Sequence, residues 1–422
     1  MLHYIWRLKP CRLNLPRFIA TRIAFNRQKS FSRFIIRLAI AATTISVAAM
    51  ILALSFTAGF QYTIANKIFQ FWGHIRVQHF EPDRLNVSGE TPINRSDSVE
   101  NLAHQIKGID KIQAFATKNA ILKTSESIEG ILFKGYDKNF DTSRLTPFLK
   151  AGRWMNFPDS GYSNDIVVSA YTANQLSLKA GDDLLIYFIQ DDGSAPRVRK
   201  LKVSGIYKTG IEEFDKLIAI GDIRLVQRLN DWPANYIGGY EVFLHDYKQI
   251  DSLNEKIFTD LPMMWNSRSI KEINPNIFDW LGLQDRTIII TIIILIIVAV
   301  LNLVTCLIIL VLERTRMVGV LKALGAYNKD IRKIFLYHGA VITLAGIVLG
   351  NLLAFILIAI QKKWGVLKLP EDMYYIDKAE VQIIPWHILA VNIGTFIICL
   401  LVLLIPSLII KKVQPVKAIS FS

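Results

Sequence analysis

The sequence predicts a polytopic α-helical membrane protein: four transmembrane helices, with a large α+β extracytoplasmic domain between the first and the second. Three observations carry that expectation. The 422-residue chain is 52% hydrophobic with a mean hydropathy of +0.32, too apolar for an ordinary water-soluble domain and for a disordered chain. Four stretches, 38–60, 287–312, 339–360 and 388–410, run for 22 to 26 residues without an Asp, Glu, Lys or Arg. At about 1.5 Å per helical residue, each crosses the roughly 30 Å of a bilayer's hydrocarbon. The formal net charge of +14 falls in segments that flank those stretches, a membrane pattern and not a nucleic-acid footprint, so no nucleic-acid partner is expected.

Residues 1–37 form a cytoplasmic basic arm and elbow helix with nine Lys and Arg and no acid. Its segment FIATRIAFNRQKSFSRFIIR interleaves apolar and arginine side chains, suiting a helix in the headgroup layer, although a plain stop-transfer anchor reads the same way. Transmembrane helix 1 covers 38–60. A cleaved signal peptide also pairs a basic region with an apolar run, but here both are too long. After the span, QYTIANKIFQFWG has no breaker before Gly73, and NPNIFDWLGLQD leads back toward the second span in helical character. These two extensions are read as stalks of a periplasmic α+β domain over 61–286. That domain holds 27 Lys and Arg against 29 Asp and Glu, so it is close to neutral. A helix is expected over 98–108. Alternating strands are expected in KIQAFATKNAIL, GILFKGYD, NDIVVS, DLLIYFIQ, RKLKVSGIYKTG and YEVFLHD, and a helix in YKQIDSLNEKIFTDL.

Transmembrane helix 2 covers 287–312 and is followed by a cytoplasmic coupling segment, 313–338. Transmembrane helix 3 (339–360), a short periplasmic loop (361–387), transmembrane helix 4 (388–410) and a cytoplasmic tail (411–422) complete the chain. The arm, the 313–338 segment and the tail carry the excess of Lys and Arg, so all three are expected on the cytoplasmic side, with both termini. In ERTRMVGVLKALGAYNKDIRKIFLYH, Met317, Val320, Leu321 and Leu324 recur at helical spacing and Gly325 interrupts them, with Leu321 and Leu324 expected to share a face. Such a helix presents a compact knob to a cytoplasmic partner; an interfacial connector between two spans is the plainer alternative.

Groups that perform chemistry do not converge in this sequence. No G-x-x-x-x-G-K-[S/T] loop exists, since GAYNKD lacks the second glycine and the Lys-Ser/Thr pair that cradle phosphates. The seven histidines form no H-E-x-x-H set, and no G-x-S-x-G elbow occurs. Asp182-Asp183 and Asp191-Asp192 sit beside turns, where backbone bonding explains them. Cys11, Cys306 and Cys399 all fall outside the periplasmic domain, so it folds without disulfides. A non-catalytic chain with no catalytic residue, no metal site and no cofactor of its own is expected. Glu212 and Glu213 in KTGIEEFD are a candidate binding surface. The spans contain no ionisable relay; Asn302, Thr305, Asn351 and Asn392 can bond between helices, and Gly346 with Gly350 forms a G-x-x-x-G face for membrane packing.

With these residues in place, the chain resembles the transmembrane subunit of the bacterial lipoprotein-releasing ABC transporter, within the permease class shared with the macrolide exporter and the cell-division permease. The resemblance runs from about Phe18 to Ile419 and is carried by FIATR, SFTAGF, VSGIYKTGIEEFD, ERTRMVGVLKALGA, LPEDMYYI and KKVQPVKAI. ERTRMVGVLKALGA is similar to the coupling segment of the whole class; GIYKTGIEEFD and LPEDMYYI are closer to the lipoprotein-releasing branch. The resemblance implies a permease fold in a bacterial inner membrane and ATPase-coupling roles for Glu313, Arg314, Arg316, Val320, Leu321, Leu324 and Gly325. It places a candidate substrate or carrier surface at Gly205, Tyr207, Gly210, Glu212 and Glu213. Implied partners are a cytoplasmic ABC ATPase using ATP and Mg, a second identical or related permease subunit, a lipoprotein substrate, a periplasmic lipoprotein carrier, and membrane lipid. The implied work is extraction of lipoproteins from the outer leaflet of the inner membrane. The alternatives are an exporter or mechanotransmission permease for another amphipathic ligand, and a non-transporting scaffold that regulates a periplasmic partner.

Overall fold

The computed structural model describes residues 31–81, 90–124 and 127–404; most of the basic arm, the end of the last apolar stretch and the tail lie outside them. Among the described residues the chain divides into two compact units, one of 31–61, 281–367 and 379–404, the other of 62–280 and 368–378.

The first unit is helical. Its elements are α1 (Phe31–Trp72) up to residue 61, α2 (Pro275–Glu313) from residue 281, α3 (Thr315–Ala323), α4 (Asn328–Trp364) and α5 (Pro385–Val402). Of these, α1, α2, α4 and α5 are long and apolar enough to cross a membrane. Both α1 and α2 outrun their apolar stretches. α1 stops at Trp72, where Gly73 takes a left-handed φ of +71° and its N–H closes on Phe69 O at 2.8 Å, so the glycine supplies the stop that its position suggested. α4 lies against α1 through its two spaced glycines: a Cβ on Gly346 would sit 2.6 Å from Thr43 Cβ, and one on Gly350 2.8 Å from Val47 Cβ. Larger residues there would push the helices apart. Asn351 and Asn392 exchange amide hydrogen bonds of 2.8 and 3.1 Å between α4 and α5, satisfying both polar side chains in apolar surroundings.

The second unit is built on strands β1 (Ile75–His79), β2 (Ile93–Asn94), β3 (Ile109–Lys123), β4 (Ile128–Tyr136), β5 (Leu149–Gly152) and β6 (Asp165–Ser169). They continue as β7 (Asp183–Phe188), β8 (Arg197–Tyr207), β9 (Ile218–Asp222), β10 (Tyr236–Ile237), β11 (Gly239–Leu244) and β12 (Trp265–Ser269). The expected helix over 98–108 is two short helices, Asp97–Glu100 and Leu102–Gln105, and the pattern YKQIDSLNEKIFTDL supplies the helix Ile250–Thr259.

The pairing has a topology that no local pattern announces. β3 pairs β4, β4 pairs β9, β9 pairs β6, β6 pairs β8, β8 pairs β7, and β7 returns to β3, so six strands close a ring. Closure removes exposed sheet edges along that path. The length of β3 makes this possible: its first half pairs β11, which continues through β1 to β12 as an open wing, while its second half belongs to the ring. Phe115, Phe133, Ile186, Phe188, Val203 and Ile220 are fully buried in this unit.

Candidate functional site

β8 alternates inward and outward, with Leu201, Val203, Gly205 and Tyr207 turned in. Tyr207 is fully buried and its hydroxyl donates to Ile218 O at 2.8 Å; a Cβ on Gly205 would lie 2.5 Å from Arg153 O. These two residues are core, which corrects the expectation that they line a surface for substrate or carrier. The strand's period of two puts them on its packed face.

Beyond Tyr207 the chain turns around one carboxylate. Asp215 Oδ1 accepts from Thr209 N at 2.9 Å and Thr209 Oγ1 at 2.8 Å, and Oδ2 accepts from Gly210 N at 2.9 Å. Burial pushes the Asp215 pKa up, and those three donors work against that shift. Gly210 has φ +79° and is covered: a Cβ there would fall 2.5 Å from Glu371 Oε1. Glu212 and Glu213 begin the helix Glu212–Leu217 and are exposed, so within the candidate surface only these two acids face solvent.

The covering segment is 368–378, which leaves α4 and returns to α5. It narrows to a loop closed by Leu369 N donating to Asp377 O at 3.0 Å and makes one helical turn, Glu371–Tyr374. Lys208 Nζ meets Glu371 Oε2 at 2.5 Å, and the Tyr375 hydroxyl donates to Glu213 Oε1 at 3.3 Å. Lys67 Nζ, from the stalk part of α1, donates to Thr209 O and Tyr375 O, both at 2.7 Å. Trp280 stands edge-on to Tyr375 with ring centroids 5.9 Å apart. GIYKTGIEEFD and LPEDMYYI, two motifs of the family resemblance far apart in the chain, are thus one site. Tyr375 holds a left-handed backbone, φ +61°, which disfavours a non-glycine residue by about 1–2 kcal/mol. Sequence reasoning missed Lys67, Trp280 and Glu371, because nothing local ties them to the loop, and Lys208, whose partner lies far along the chain.

A second cluster went unnoticed at the end of α1. Lys134 and Glu241 are fully buried, with Nζ 2.5 Å from Oε1; Lys134 also donates to Phe71 O at 2.8 Å and lies 4.1 Å from the Trp72 ring centroid. The Tyr136 hydroxyl reaches Phe71 O at 3.2 Å and Glu241 Oε2 at 3.3 Å. A cation at the last carbonyls of a helix is favourable, and here it fastens α1 to β4 and β11. Burial pulls the Lys134 pKa down to about 8, with Glu241 opposing. Nearby, His74 stacks on Phe69 at 4.3 Å and its Nδ1 accepts from Leu244 N at 3.2 Å. Burial first, then the Arg144 charge, lowers its pKa to about 3.

The coupling segment is the other candidate. Glu313 ends α2, Arg314 caps α3, and Arg316 is exposed on its first turn. Val318 and Gly319 are buried, and Leu321 packs with Met317 against the cluster of Ile35, Leu307, Val311, Ile331 and Phe335. Leu324 is 80% exposed, Tyr327 78% and Val320 43%. The expected shared face of Leu321 and Leu324 is therefore split by burial: Leu321 turns to the bundle, while Leu324, at the helix's C-cap, is left exposed with Val320. Gly325 ends the helix at φ +91°, with its N–H on Lys322 O and that of Ala326 on Leu321 O, the paired closure of a Schellman motif. The result is that Arg316, Val320 and Leu324 on α3 and Tyr327 at the start of α4 are all exposed.

Of the expected packing residues, Gly346 and Gly350 meet α1, and Asn302 is half-buried in α2. Among the described residues no group of three or more His, Cys, Asp or Glu is placed to hold a metal ion.

Two family models match the chain: the MacB-like periplasmic core domain over residues 38–257 and the FtsX-like permease C-terminal domain over 289–415. The lipoprotein-releasing system transmembrane protein LolE of Haemophilus influenzae is 24% identical across 97% of this chain and 100% of that protein. LolC of Neisseria meningitidis serogroup B, of the same system, is 23% identical across 94% and 96%. The crystal structure of the periplasmic region of MacB from Actinobacillus actinomycetemcomitans overlaps 50% of this chain and 95% of its own, with 14% identity and a TM-score of 0.34.

Proposed function

The chain belongs to the family of the MacB-like periplasmic core domain, and from that premise we propose that it is the membrane subunit of an ABC transporter that extracts lipoproteins from the outer leaflet of a bacterial inner membrane and passes them to a periplasmic carrier. The observation that carries the lipoprotein reading is end-to-end similarity to proteins named for lipoprotein release, across 97% and 94% of the chain. Four helices long and apolar enough to cross a membrane, together with a large strand-built unit, support this reading.

In this reading the chain is non-catalytic and binds no cofactor. A separate cytoplasmic ABC ATPase uses ATP and Mg, and docks on Val320, Leu324 and Tyr327 with Arg316 beside them. Both termini are cytoplasmic and a second permease subunit, identical or related, completes the membrane core. Ile289, Ile293, Ile297 and Leu301 on α2 are each more than half exposed, an apolar face suited to lipid tails or to that second subunit. Drawing an acyl chain from the bilayer opposes about 0.8 kcal/mol per CH₂, which explains the coupling to ATP. The test is reconstitution in proteoliposomes with the partner ATPase and a fluorescent lipoprotein. Release to a soluble carrier on adding ATP and Mg is expected; vigorous ATP turnover with no release of any lipoprotein would point to a mechanotransmission permease for another ligand.

A further inference from the structure

We propose that residues 368–378 are a releasable strap: Lys208 and Glu371 form its clasp on the 208–215 loop, Lys67 is the fixed post beneath, and the strap comes off the loop during the transport cycle. What the opening serves rests on the transport reading above; the clasp itself does not.

The strap is held by two kinds of contact. Beneath it, half-buried Lys67 bridges Thr209 O and Tyr375 O at 2.7 Å, fixing the carbonyls of both partners to one ammonium. At its rim, the side chains of Lys208 and Glu371 are 42% and 28% exposed, so water can replace their ion pair at little cost. The bond from Tyr375 to Glu213 is exposed, and that of Lys208 to Glu371 part-buried. One apolar side chain, Ile376 at 2% exposure, anchors the strap, while Met373 is left at 71% and Tyr374 at 38%. With one buried apolar anchor, a short bridge between Lys368 and Lys378 and the side chains of Met373 and Tyr374 exposed, the segment has the marks of low local stability.

Strain points the same way. Tyr375 keeps its left-handed backbone while Lys67 grips its carbonyl, Glu213 its hydroxyl and Trp280 its ring. A strained residue held by its surroundings relaxes when they let go. The loop is shaped to receive the strap, because the space above Gly210 that a Cβ would fill is taken by Glu371 Oε1. In the chain the strap follows α4 after residues 365–367 and precedes α5 by residues 379–384.

The clasp is tested by hydrogen exchange of amides 369–378 in the full-length chain, comparing K208E, E371K and the swap K208E/E371K. Exchange at least tenfold faster in each single reversal, returning to within threefold of wild type in the swap, is expected. Unchanged exchange in the single variants overturns the clasp, and so does fast exchange in the swap of a well-folded protein. Opening is tested by joining K208C and E371C with a short bismaleimide and measuring ATP-driven lipoprotein release, with each single-cysteine variant treated alike. At least a tenfold fall in the joined protein alone is expected, and release at the wild-type rate overturns the opening. If unmodified protein releases no lipoprotein, the transport reading fails while the exchange data still decide the clasp.

Discussion

The turn between α2 and α4 and the strap between α4 and α5 are both short connections between spanning helices, yet they satisfy their side chains in opposite ways. The first turns Leu321 inward and leaves Val320, Leu324 and Tyr327 in solvent; the second finds partners within the chain for Glu371, Tyr375 and its carbonyl oxygen. An outward apolar face is completed only by another molecule, whereas a self-satisfied polar site acts on the chain that owns it. This difference is the ground on which we propose ATPase docking for the first connection and internal control for the second.

The largest expected effect separates docking from folding on a single short helix. Val320→Asp with Leu324→Asp should leave membrane insertion and Tm near wild type while reducing ATPase copurification at least tenfold, because a docking groove would have to desolvate two carboxylates. Leu321→Asp should instead lower Tm, since its side chain enters the bundle. Equal behaviour of the two variants would erase the distinction.

Next in size is the self-satisfied cluster under α1. Glu241→Gln strands the fully buried Lys134 and should cost about 3–5 kcal/mol, whereas Lys134→Met with Glu241→Leu should recover most of it. Denaturant midpoints of the full-length chain read both. A related effect follows pH. His74 is held neutral to about pH 3 in the fold, whereas the unfolded chain takes up its proton near 6.5. Stability from this group is therefore present above pH 6.5 and lost as pH falls toward 3, by roughly a few kcal/mol. His74→Asn, which keeps an acceptor for Leu244 N, should flatten the decline in Tm between pH 6.5 and 4. The smallest effect belongs to the helix pair: Asn351→Ala should cost about 0.6–1.7 kcal/mol in a detergent unfolding assay, by removing its exchange with Asn392.

Membrane architecture was legible in the sequence because charge-free runs and flanking Lys and Arg are local signals. Gly73 and Gly325 were legible as helix ends for the same reason. Closure of the strand ring was not, because it depends on β3 serving two partners at once. The burial of Lys134 and Glu241 carries no local signal, since it depends on Phe71 and Trp72 lying over Lys134 from a helix distant in the chain. The resemblance drew attention to GIYKTGIEEFD and LPEDMYYI separately. Only the fold brings Lys208 to Glu371 and Glu213 to Tyr375, and it withdraws Gly205 and Tyr207 into the core.

The most direct measurement is ATP-driven transfer of a labelled lipoprotein from proteoliposomes to a soluble carrier, run side by side with wild type and the Val320→Asp, Leu324→Asp variant beside equal amounts of ATPase. Transfer that requires ATP and Mg in the wild type and falls to background in the variant is expected. Equal transfer by both would contradict docking at this face, and no transfer by an intact, ATPase-bound wild type would contradict the assignment to lipoprotein extraction.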